Sequence, residues 1–200
     1  MSTPTRITHR IGHSPWQGEP GRTSDVFNPS SGEVIGALDL ASTETVNEIV
    51  AAAKAASLEW GHVSLARRVR ILFAFRQLLE ERKGEIAKAI TAEHGKTYDD
   101  AVAEISRGQE VVEFACGIPQ LLKGGFSENV STDIDAYSIL QPLGVVGVIS
   151  PFNFPAMVPL WFVPMAVATG NAVVIKPSER TRPRSTSSPT CGARPDCPMA

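Results

Sequence analysis

Hydrophobic patterning is most concentrated between residues 143 and 175. Leu143 to Ile149 is a largely β-branched run broken only by Gly144 and Gly147, with no charge. That pattern predicts a strand covered on both faces, as in a parallel sheet. Ser150-Pro151-Phe152-Asn153-Phe154-Pro155 ends it, because neither proline can donate to a strand ladder. Met157 to Ala168 is apolar almost all round and predicts a buried crossover helix despite Pro159 and Pro164. Gly170-Asn171 closes that helix, and Ala172 to Ile175 returns as a second strand.

Upstream the periodicity is helical. Residues 25–28 and 33–40 predict two short strands around the turn Pro29-Ser30-Ser31-Gly32. Ser42 or Thr43 caps a helix to about Glu59, with Val46, Ile49, Val50 and Ala53 on its expected buried side. Ser64 caps a longer helix in which Leu65, Val69, Leu72, Phe75 and Leu79 fall at helical spacing. Gly84 is the expected break before residues 86–92 continue to a stop at Gly95. Thr97 starts a third helix, using Val102, Ile105, Val112 and Ala115, which ends at Gly117-Ile118-Pro119. Residues 129–140 alternate loosely and predict an extended edge segment.

A parallel β-α-β unit carries its working residues at the carboxyl ends of its strands. Here those ends are Ser150 to Asn153 and Lys176 to Arg180, so two polar clusters meet at one crevice. Taken alone, the spacing favours plain readings. An asparagine beside prolines commonly bonds its own backbone, and most Lys-Pro-Ser-Glu-Arg strings are solvated loops. Arg107, in the third helix, reads as an exposed arginine paired with Glu104 or Glu110.

The wording of these segments shifts that balance. SPFNFP (150–155) and GNAVVIKPSE (170–179) resemble signature pieces of the aldehyde dehydrogenase superfamily. EHGKT (93–97), RGQEVVEFACGIPQLLKG (107–124) and QPLGVVGVISPFNFPAMVPLW (141–161) resemble its CoA-acylating methylmalonate-semialdehyde dehydrogenases. The resemblance covers roughly residues 20–180 and rests on separated segments agreeing in order and spacing. It implies an α/β fold: a helical lead-in followed by a β-α-β unit of a parallel sheet, the incomplete N-terminal part of an NAD-binding domain. The implied layout is a frayed terminus at 1–20, the domain part at 21–180 with a subunit-joining arm at about 129–141, and a tail at 181–200.

By the same resemblance, Asn153 is an oxyanion donor, where a preorganised amide can stabilise the charge created by thiolate attack on an aldehyde. Lys176, Glu179 and Arg180 hold the cofactor, the first two on the adenosine ribose, with Ser150 and Phe152 lining the same groove. Glu179 would repel a 2′-phosphate, so NAD is expected over NADP. Arg107 would pair with the carboxylate of a semialdehyde substrate such as methylmalonate semialdehyde. The implied reaction of an intact enzyme is NAD-dependent oxidation through a thioester to acetyl-CoA or propionyl-CoA, with CoA as co-substrate. The implied assembly is a homo-tetramer or homodimer, and the implied setting is valine or inositol catabolism. Two alternatives stand beside this: a dehydrogenase that hydrolyses its thioester, and a non-catalytic binding or dimerising fragment.

Bulk properties narrow the field further. A net charge of −2 argues against nucleic acid as an electrostatic partner. Three cysteines (Cys116, Cys191, Cys197) give neither a disulfide framework nor metal-ligand spacing, which fits a reducing cytoplasm. The apolar stretch 145–168 is punctuated by prolines and predicts no membrane span. No GxGxxG occurs, so a standard Rossmann fingerprint is absent. Cys116 reads as a small buried thiol, and the family nucleophile lies in a later segment, so the chain is expected to be inactive alone. His94 reads as a helix-end residue. Residues 181–200 lack Val, Ile, Leu and aromatics, so they predict disorder, and their Arg/Pro/Ser/Thr composition is what a frameshift near codon 181 produces. Two parallel strands with open edges also predict a marginal, aggregation-prone fold.

Overall fold

The computed structural model describes residues 5–179, so the expectations for 181–200 and for Arg180 fall outside it. The first elements are extended. β1 (Thr5–Ile7), β4 (Arg22–Phe27) and β5 (Val34–Leu40) form one sheet in the order β1-β5-β4, with β1 parallel and β4 antiparallel to β5. β2 (Arg10–Ile11) and β3 (Ser14–Pro15) make a small separate ribbon. Strands at 5–7, 10–11 and 14–15 thus stand inside the stretch expected to be frayed. Asp39 explains part of the order. Its carboxylate has no exposed side-chain surface, and Arg6 donates to it at 3.0 Å from β1. A buried carboxylate without that partner would be costly.

The helices start where the hydroxyl caps predict. Ser42, Ser64 and Thr97 accept the amides of Thr45, Arg67 and Asp100, opening α1 (Thr43–Trp60), α2 (Leu65–Glu81) and α4 (Tyr98–Cys116). Between the last two lies α3 (Lys83–His94), which ends at Gly95 with φ +84°. The break before α3 is at Arg82 rather than Gly84, which sits inside the first turn of α3. On α1 the buried residues are Thr45, Ala53, Ser57 and Trp60, while Val46 and Val50 are exposed. The aliphatic stripe read from sequence therefore overlaps the packed face at Ala53 but leaves Val46 and Val50 on its solvent side. A short α5 (Ile118–Leu121) follows α4.

Two two-stranded elements complete the fold. β6 (Phe126–Ser131) and β7 (Ile134–Tyr137) form an antiparallel hairpin where a single extended edge is expected. Positive φ at Asn129 and Asp133 supplies its bulge and turn, a use those residues tolerate better than most. β8 (Val145–Ile149) and β9 (Ala172–Lys176) are parallel, joined by α6 (Met157–Ala168). Trp60 packs with Val148, Val163, Val167 and Val173, and its indole donates to the Val167 carbonyl at 2.8 Å. Buried Arg68 donates to the carbonyls of Gly61, Val63 and Ala168 and so ties α2 to the end of α6.

Burial of this unit is one-sided. Ile149 is 81 % exposed, and Trp161 and Phe162 of α6 also face outward. The expectations of a strand covered on both faces and a helix buried all round are thereby corrected for these residues. On the covered side α4 crosses α6 at Gly108, where an added Cβ would lie 2.6 Å from Leu160 Cδ1 and 2.8 Å from its Cβ. Only glycine allows that approach.

Candidate functional site

The crevice lies at the carboxyl ends of β8 and β9. The Ser150 amide bonds the Lys176 carbonyl at 3.1 Å, so the two strand ends leave the sheet in register. A groove of about 310 Å³ opens there, lined by Ser150, Pro151, Phe152, Lys176, Ser178 and Glu179. Ser150 and Ser178 are buried in its floor. Lys176 donates to Glu179 at 2.5 Å, and both side chains are about half exposed at the rim. An ammonium and a carboxylate side by side, with open faces, suit the vicinal hydroxyls of a ribose. The donor set therefore fits a nucleotide cofactor.

Asn153 stands on the turn between β8 and α6 and is exposed. Among the described residues its carboxamide has no hydrogen-bond partner, so it does not cap its own turn. Its carbonyl is held instead, by Lys96 Nζ at 3.0 Å. The same ammonium bonds Glu104 Oε2 at 2.6 Å and lies 4.7 Å from the centre of the Phe154 ring. Glu104, only 1 % exposed, accepts the amides of Ala156 and Met157 on its other oxygen, at 2.8 and 3.0 Å. Phe152 stacks on His94 with ring centres 4.7 Å apart. Burial, with Lys96 nearby, holds the His94 imidazole below its usual range.

The structure thus brings Ser150, Phe152, Asn153, Lys176 and Glu179 to one end of the β8–β9 sheet. Arg107 is exposed on α4, one turn beyond Glu104, and pairs with neither Glu104 nor Glu110, contrary to the plain reading. Cys116 is buried and its thiol is pushed up by burial and by Glu113, which agrees with its rejection as a nucleophile. Sequence reading missed Lys96 and Glu104. Lys96 lies in the segment 93–97 and Glu104 was named only as a possible partner of Arg107, and no local spacing links either to residue 153.

Among the described residues no cluster of three His, Cys, Asp or Glu could hold a metal. Nor is any helix long and apolar enough to cross a membrane.

Comparison with known proteins supports the same assignment. The model of the aldehyde dehydrogenase family matches residues 16–187. A malonate-semialdehyde dehydrogenase of Pseudomonas aeruginosa is 49% identical over 172 residues, covering 86% of this chain and 35% of that protein. A malonate-semialdehyde dehydrogenase of Geobacillus kaustophilus is 50% identical over 161 residues, covering 80% of this chain and 33% of that protein. Among solved structures, a methylmalonate-semialdehyde dehydrogenase from Oceanimonas doudoroffii superposes with a TM-score of 0.85 at 49% identity, over 89% of this chain and 36% of that one. A Sinorhizobium meliloti protein described as a methylmalonate-semialdehyde dehydrogenase, complexed with NAD, reaches 0.87 at 44% identity, over 91% and 37%. The chain therefore spans about a third of the length of these relatives. With its turn, its groove and these matches in agreement, the chain belongs to the aldehyde dehydrogenase family.

Proposed function

We propose that the intact enzyme oxidises malonate or methylmalonate semialdehyde with NAD and delivers the acyl group to CoA, giving acetyl-CoA or propionyl-CoA. This chain supplies the oxyanion donor and one end of the cofactor groove. The observation that carries the reading is the match to semialdehyde dehydrogenases over most of the described residues, joined to an Asn153 amide that has no partner among those residues and stands beside a ribose-suited groove. Asn153 donates its side-chain N–H to the oxygen that gains charge when the aldehyde is attacked. Lys176 and Glu179 bond the ribose hydroxyls, Ser150 and Phe152 wall the groove, and Arg180 assists from the segment just beyond. Bound NAD supplies the hydride acceptor. Glu179 at the rim disfavours an extra phosphate by like charge. Arg107, exposed and without a partner among the described residues, takes the substrate carboxylate. The hairpin at 126–137, in which every residue is exposed, serves as the arm that joins subunits in a homo-oligomer.

Assayed alone, the chain is expected to give no turnover, because its described cysteine is buried and poorly ionised. The test is therefore made in a complete enzyme, joining residues 16–179 to the remaining part of the Pseudomonas relative. With malonate semialdehyde and NAD, acetyl-CoA should form only when CoA is present. Asn153→Ala should lower kcat by about 100- to 1,000-fold, the usual cost of losing one oxyanion donor. Free acid formed at the same rate without CoA would instead establish the hydrolytic alternative.

A further inference from the structure

We infer that Glu104 and Lys96 are positioning residues for Asn153, an ionic clamp that aims the oxyanion donor from outside its own segment. The inference rests on the oxyanion role proposed above and adds how that role is held in place.

The first turn of α6 has no cap of its own. Ala156 occupies the cap position in a helical conformation and offers no side-chain acceptor. Helix starts leave orphan amides that must find partners, and here each one can be traced. Pro155 and Pro159 have no N–H, Val158 bonds the Phe154 carbonyl, and Leu160 bonds the Ala156 carbonyl. The two left over, Ala156 and Met157, both go to Glu104 Oε1. Its second oxygen is taken by Lys96, whose ammonium reaches on to the Asn153 carbonyl. One carboxylate and one ammonium therefore fix the turn at 153, 156 and 157. Among the described residues nothing bonds the Asn153 side chain, which is left to donate.

Stability alone does not call for this arrangement. A serine, threonine or aspartate at the cap position would satisfy the helix start locally. Burying a charge pair costs several kcal/mol of desolvation per ion unless the geometry repays it. The clamp reaches from α4 and from the α3–α4 connection, two sites distant in sequence, so it sets the turn against the helical layer rather than against α6 alone. The carboxylate also faces the positive end of α6, where a negative charge is favourable.

The test is a double-mutant cycle in the joined enzyme described above, read as kcat, as KM for NAD and as thermal unfolding. Asn153→Ala comes first. Wild-type kcat in that variant removes the oxyanion role, and the positioning role falls with it. If Asn153→Ala is impaired, Glu104→Ala should lower kcat by about 100-fold, the scale of a misplacement of about 1 Å. Glu104→Gln keeps an acceptor for the two amides but loses the ion pair, and it should lower kcat by about 10-fold, as should Lys96→Met. KM for NAD should stay within about twofold, since the groove residues lie on the strand ends. In the Asn153→Ala background each loss should shrink to less than about threefold, because a misaimed donor no longer matters once it is gone. The same fold-loss in both backgrounds, or no loss with Asn153 present, overturns the inference while leaving the oxyanion role intact. Should Glu104→Ala lose its thermal transition, Glu104→Gln and Lys96→Met decide by the same comparison.

Discussion

Two parts of this molecule are each two strands wide, and they differ in almost every other respect. In the β6–β7 hairpin all residues of both strands are exposed, including Phe126 at 68% and Tyr137 at 78%. In the β8–α6–β9 unit one face is buried under Trp60, α2 and α4, and the polar turn at its end is held by a buried ion pair. A free two-stranded ribbon is marginal in water, whereas a strand pair backed by helices gains the burial of each inward aliphatic. The difference teaches where to look for chemistry and where for association. The turn at 153 is held by the packed unit, whereas the ribbon leaves Phe126 and Tyr137 open to solvent.

That contrast can be broken most forcefully at Trp60. Trp60→Ala removes the central side chain of the cluster around Val148, Val167 and Val173 together with a buried hydrogen bond, and it should cost about 3–5 kcal/mol. Urea unfolding followed by circular dichroism checks it. Hydrogen exchange should show lost protection in β8 and β9, with none lost in the hairpin. Gly108→Ala should come next, at about 1–3 kcal/mol, because the added methyl meets Leu160 at its Cβ as well as its tip. The same urea series measures it.

At the hairpin the order of effects reverses. Phe126 and Tyr137 are cross-strand partners, and replacing both with serine should change stability by less than about 1 kcal/mol. Light scattering, however, should show self-association falling sharply. Unchanged association would break the comparison at its softer end.

The smallest expected effect belongs to His94. Its imidazole is held below the usual value near 6.5, so the unfolded chain binds more protons as the solution is acidified. The neutral ring's contribution is fully present above that unfolded value and is lost as pH falls through the folded one. His94→Phe should flatten the fall of the urea midpoint on the acid side of about pH 6.5. An equally steep profile in the variant would assign the acid sensitivity to other groups.

How much was legible depends on the range of the interactions involved. Ser42, Ser64, Thr97 and Gly95 announce helix ends within one turn of chain, and all four act where the pattern puts them. The alternation of β8, α6 and β9 was equally plain, because a β-branched run and an apolar helix between glycines have few other solutions. Side-chain direction was less legible. Val46 and Val50 belong to a valid helical stripe but point to solvent, since the α1 face is chosen by what Trp60 and Ala53 can reach.

The chain's own order of residues determined the capped helices α1, α2 and α4, the parallel unit and, through its segment wording, the family and the candidate residues Ser150, Phe152, Asn153, Lys176 and Glu179. These depend on propensity and spacing over at most a few turns. Tertiary structure alone decided that β1 would order against β5 around the Arg6–Asp39 pair and that Gly108 would let α4 touch α6. It also decided that Glu104, some fifty residues upstream, would complete the start of α6. Each of those requires a charge or a backbone from a distant segment to arrive at hydrogen-bond or contact distance. Only the packed chain brings them there, because the loops between them have no local pattern that records the meeting.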